Sequence, residues 1–264
     1  MNFAELLRHA AIRPELALLG LELARVSGVV AVSPIPWSNT PKRIRAGLII
    51  FLLVVIHGTG KPPVPEAFSA SWAALNMSTE LIVGLCMGMV VRLSVGAAEI
   101  AGSTLAMPMG FSAAQAFDPT IGATDSALAR LFRHLALLVA LIVGMHRVML
   151  GALISSFRLL PVGTATHLEA TFPLMLELSA HIIAVGVRLA LPLLALLLMT
   201  NIGLGFVSRA APNMQIFSVG FAVLFATGAV GLLLALPGFA HEIALELNQS
   251  SRYFERLIVD LSPH

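Results

Sequence analysis

Hydrophobic residues fall along this chain in long blocks, at about 16–32, 46–57, 73–91, 97–107, 134–157, 180–207 and 214–239. Blocks of this length predict helices. Crossing a bilayer as a helix takes about 20 apolar residues, a length that 180–207 and 214–239 reach comfortably. The run at 46–57 is short, and 97–107 carries Glu99. Arg25, Glu80 and Arg188 interrupt three other runs. A charge near a bilayer centre costs at least about 2.5 kcal/mol, so these side chains are expected to face protein or a wet cavity.

Polar and small residues punctuate the blocks. Residues 58–69, GTGKPPVPEAFS, read as an extended connector, and Pro192 is expected to kink its helix. Asn201 needs a hydrogen-bond partner wherever it is buried. Gly84 and Gly88 in GLCMG have the spacing that lets two helix backbones approach closely. From about 240 to 264, apolar residues at helical spacing with charges between predict an amphipathic helix on a surface or against a partner. Residues 106–126, AMPMGFSAAQAFDPTIGATDS, hold no Lys, Arg or Glu. Pro108, Gly110, Pro119 and Gly122 break a helix there, while Met107, Met109, Phe111 and Phe117 want cover.

Composition sharpens this picture. Of the 264 residues, 58% are hydrophobic and 11% charged, against about 25% charged in a soluble domain. The mean hydropathy is +0.91. An integral membrane protein, or a subunit buried in a membrane-associated complex, is expected. A net charge of +2 without a basic, aromatic-studded patch excludes nucleic acid as a partner. Cys86 is the only cysteine, so no intrachain disulfide forms. Glu22 and Arg25 interrupt the first apolar run, unlike a cleavable signal peptide. Lys42, Arg43 and Arg45 form a dense cluster that the positive-inside rule places on the cytoplasmic side. Later arginines are spread over nearly every connection, and no alternating topology satisfies them all.

Candidate chemistry is sparse. The eight histidines include no pair three or four residues apart, and no GxSxG or phosphate-binding loop occurs. Asp118 and Asp125 read as a turn residue and the cap of a helix starting near Ser126 rather than as an acid/base pair. No enzyme, metal or cofactor is expected. A small-solute transporter would be expected to show an internal repeat, and an intramembrane enzyme a nucleophile with its base; neither pattern is found.

Ordered strings across nearly the whole chain resemble the FliR/SctT family of type III export-gate proteins. They include Pro41, Lys42, Arg43 and Gly47; Glu80, Gly84 and Gly88; Ala101 and Gly102; and MGFSAAQAFDP at 109–119. LARL at 128–131, His146, and Phe157, Pro161 and Gly163 follow. The tail is the most specific part, with Pro192, Asn201, Gly205, Arg209, Pro212, Phe217 and Gly220. The chain departs from the family pattern at Pro108, often Gln, at Ala222, often Pro, and at Gly144, one position earlier than usual before His146.

The resemblance implies a single all-α, membrane-associated domain over 1–264, built of kinked helical hairpins packing laterally on homologous gate subunits. It implies a non-enzymatic core component of the flagellar type III export gate in the bacterial inner membrane and flagellar basal body. FliP-like and FliQ-like subunits, an FlhB-like switch protein, membrane lipid and unfolded flagellar export substrates are the implied partners. The alternative is an SctT-type subunit of a virulence secretion system. A pore-plug loop at about 106–124 is implied, with Met107, Met109, Gly110, Phe111, Phe117, Asp118 and Pro119 as plug residues. Gly84, Gly88, Glu80, Arg188, Arg209, Pro212 and Phe217 are expected at subunit contacts, several of the charges in intersubunit salt bridges.

Overall fold

A computed structural model describes residues 14–34, 40–58, 70–110, 126–164, 168–210 and 216–262. Among them the chain forms seven helices and no strand: α1 (Pro14–Val32), α2 (Lys42–His57), α3 (Ala70–Ala106), α4 (Ala127–Val143), α5 (Met145–Leu159), α6 (Leu168–Ala210) and α7 (Ile216–Leu261). The fold is all-α, and Trp72–Ala106, Thr171–Ala210 and Val219–Leu261 are long and apolar enough to cross a membrane. The first of these was not expected as a span. The runs at 73–91 and 97–107 form one helix because Arg92 and Gly96 interrupt only the hydrophobicity. The buried stripe passes Val91, Val95, Ala98, Ala101 and Leu105 at steps of three and four, so the same side stays covered.

The run at 134–157 does the opposite and divides at Gly144, whose φ of 82° lies in the left-handed region that side chains disfavour. The helix expected to be capped by Asp125 is capped by Ser126, whose Oγ accepts the Ala129 N–H at 3.0 Å. Asp125 itself lies outside the described residues. Helix α6 continues through Pro192 and α7 through Pro237. The 240–264 segment is therefore no separate helix. Its stripe of Phe239, Ile243, Leu247, Phe254, Leu257 and Leu261 is buried within this chain, so it serves the chain's own core.

The helices group into two compact units. One holds residues 1–92, 144–178 and 249–264: α1, α2, the first part of α3, α5 and the outer ends of α6 and α7. Helix α1 is its most buried element, with Leu21, Val26, Val29 and Val30 nearly inaccessible. The other holds 93–143 and 179–248: the rest of α3, α4 and most of α6 and α7. Within it Phe132 and Phe239 meet edge to face at 5.3 Å, and Arg133 pairs with Glu99 at 3.2 Å.

Candidate functional site

Charges in an apolar chain are the first place to look for function, and the structure sorts them into two kinds. Arg25 and Glu80 are both 0% exposed, with Nε to Oε2 at 2.5 Å. The Arg25 Nη1 group donates to the carbonyls of Ser156 at 3.1 Å and Leu160 at 3.0 Å, at the end of α5. A cation there also complements the negative end of the helix dipole. The guanidinium stacks 4.5 Å above the Phe157 ring. The second Glu80 oxygen accepts the Gly163 N–H at 2.8 Å, and Gly163, at φ 80°, lies against the Trp72 ring. One ion pair thus joins α1, α3, the end of α5 and the turn after it.

The partner of Glu80 is thus Arg25 of the same chain. Gly84 and Gly88 also make close contacts inside the chain. A Cβ on Gly84 would overlap the Arg25 carbonyl oxygen, and one on Gly88 would stand 2.8 Å from that of Val29. Gly28 answers from α1, where a Cβ would come 2.6 Å from the Leu81 carbonyl oxygen. These glycines bring α1 and α3 into backbone contact inside the chain. Sequence reasoning missed Arg25 as the partner, although two opposite charges in separate apolar runs were the signal for it.

Arg188 and Arg209 are of the second kind. Both are exposed on α6 and have no ion-pair partner among the described residues. Around them Ile183, Leu191, Leu198, Met199, Ile202 and Phe206 are all exposed. An open groove of about 260 Å³ runs past Ile202, Gly205, Phe206 and Arg209. Asn201 is exposed and donates from Nδ2 to the Leu197 carbonyl at 3.1 Å. Phe217 lies in the first turn of α7, and Pro212 falls outside the described residues.

The start of the expected plug loop divides by role. Met107 is 77% exposed, whereas Met109 is 1% exposed. The tip of the Met109 side chain lies on Gly228 of α7, where a Cβ would come 2.6 Å from its Cε and 2.8 Å from its Cγ. Gly110 turns left-handed at φ 84° with its Cα against the Phe221 ring. A side chain at Gly110 would meet the Phe221 ring, and one at Gly228 would displace the Met109 side chain. Met109 and Gly110 therefore seat the turn on the chain's own core, and Met107 is the exposed residue of the turn. Phe111, Phe117, Asp118 and Pro119 lie outside the described residues.

The arrangement offers buried structural charge, exposed apolar helix faces and a loop base pinned to α7. Comparison with known proteins gives it a context. Residues 16–250 match the family model described as bacterial export proteins, family 1. The flagellar biosynthetic protein FliR of Escherichia coli K12 is 30% identical over 81% of this chain and 82% of its own length. That of Pectobacterium carotovorum is 31% identical over 78% of both chains. That of Bacillus subtilis 168 is 29% identical over 75% of this chain and 77% of its own. On this match the chain belongs to family 1 of the bacterial export proteins.

Proposed function

We propose that this chain is a core subunit of the flagellar type III export gate, assembled with FliP-like and FliQ-like subunits and an FlhB-like switch protein. Its role is non-enzymatic: it contributes to a closed pore in the inner membrane, at the flagellar basal body, through which unfolded flagellar subunits pass. The observation that carries this reading is the similarity to flagellar FliR proteins along four-fifths of the chain. The exposed faces of α6 and α7 support it, because Leu198, Met199, Phe206, Leu233 and Leu234 cannot stay in water. Partner helices would cover much of that surface, with Arg188, Arg209, Pro212 and Phe217 at the contacts.

Residues 106–124 are the plug in this reading. The contacts of Met109 and Gly110 hold one end of the loop on α7, and Met107, Met109, Gly110, Phe111, Phe117, Asp118 and Pro119 are its plug residues. Methionine and phenylalanine make a soft, uncharged seal that adapts to varied unfolded chains. A photoreactive residue placed at Met107 is expected to crosslink to a stalled export substrate, while one at the buried Leu153 is not. An assembled gate that gives no substrate crosslink from position 107 would count against the plug.

A further inference from the structure

We propose that α2 is a half-depth anchor that binds anionic phospholipid, with Lys42 and Arg43 at the headgroups and the exposed side of the helix among the acyl chains. This does not depend on the export-gate reading. Helix α2 reads KRIRAGLIIFLLVVIH, with its Lys and Arg residues all in the first turn and no acid there. Lys42 and Arg43 are exposed and have no ion-pair partner among the described residues. Cations and the positive end of a helix dipole repel one another, and for Lys42 and Arg43 no ion-pair partner among the described residues relieves that repulsion. A ligand of negative charge would supply the counter-charge.

The rest of the helix says what kind of molecule brings it. Only Leu52 and Ile56 are buried, while Ile44, Ile50, Phe51, Val54 and Val55 form an exposed apolar side. The charge-free run from 46 to 57 is about 18 Å long at 1.5 Å per residue. That is too short for a hydrocarbon core of about 30 Å but matches one leaflet. At its far end His57 lies 3.1 Å from the buried Glu22 carboxylate, which ties that end of the helix to α1. A lipid surface with negative headgroups and an apolar interior complements both ends at once. The cytoplasmic leaflet is such a surface, and the positive-inside rule assigns this basic cluster to that side.

The test uses the full chain, lipid-depleted in a neutral detergent, with phosphatidylglycerol or phosphatidylcholine added and bound lipid counted by native mass spectrometry. Each basic residue at an anionic surface is worth about a fivefold preference, so the two together give roughly 30-fold for phosphatidylglycerol. The variant Lys42→Gln/Arg43→Gln, altered only at exposed side chains, is expected to fold with unchanged helical content and to lose that preference. A photoreactive residue at Phe51, in native membranes, is expected to capture lipid. Equal binding of the two lipids by the unmodified chain, or a preference that survives in the variant, overturns the proposal. Capture of another protein chain from position 51 overturns it as well.

Discussion

The variant Arg25→Leu is expected to lose about 3–5 kcal/mol of stability, because it leaves a buried carboxylate without its counter-charge. Glu80 would keep only the Gly163 N–H, and the carbonyls of Ser156 and Leu160 would lose their donor. In a chain of this size the apparent Tm in detergent falls by roughly 6–20 °C. Glu80→Leu should do similar damage by stranding Arg25. The double change Arg25→Met/Glu80→Leu removes both charges together and is expected to recover most of the loss, since buried pairs replaced by apolar residues of similar volume are often neutral or better. An Arg25→Leu chain that melts with the unmodified protein, or a double variant no better than either single, would show that the pair does not hold α1, α3 and α5 together.

Gly84→Leu is the second change with a large expected effect. The first side-chain atom already collides with the Arg25 carbonyl oxygen. Backbone cannot yield as a flexible side chain does, so α1 and α3 must separate, and the Arg25–Glu80 contact separates with them. A loss of about 3 kcal/mol is expected, the upper end of the usual overpacking cost. Even Gly84→Ala should destabilise, although alanine is favoured over glycine in a helix by about 1 kcal/mol. Gly96 is the internal control, because it lies on the same helix with nothing within 4 Å of a Cβ. Gly96→Ala should gain up to about 1 kcal/mol. Thermal melts of the four single variants at 84 and 96, alanine and leucine at each, separate crowding from helix propensity. Equal behaviour at the two glycines would remove the case for backbone contact at Gly84.

These two positions also mark how far the sequence could be read. The helices, the need for Glu80 to find a partner and the tight packing at Gly84 and Gly88 were all legible, because each follows from local composition. The partner was not. A lone charge in an apolar run says that something must neutralise it, but not whether that group lies in the same chain, and Arg25 is 55 positions away. The join of 73–91 to 97–107 escaped for a related reason: hydropathy dips at Arg92 and Gly96, while the helical stripe of buried residues runs on. The amphipathic stripe at 239–261 was visible, yet amphipathicity does not say whose core it faces. Met107 and Met109 are chemically alike two residues apart, and only the Gly228 socket separates the exposed one from the buried one.

The role of the chain rests on assembly, and copurification tests that most directly. Tagged chain expressed with FliP-like and FliQ-like subunits is expected to elute with both in one stable complex. Arg209→Glu, which reverses an exposed charge without an ion-pair partner among the described residues, beside the apolar groove of α6, is expected to abolish that complex while the chain itself still accumulates. A chain that purifies without either subunit would contradict the account.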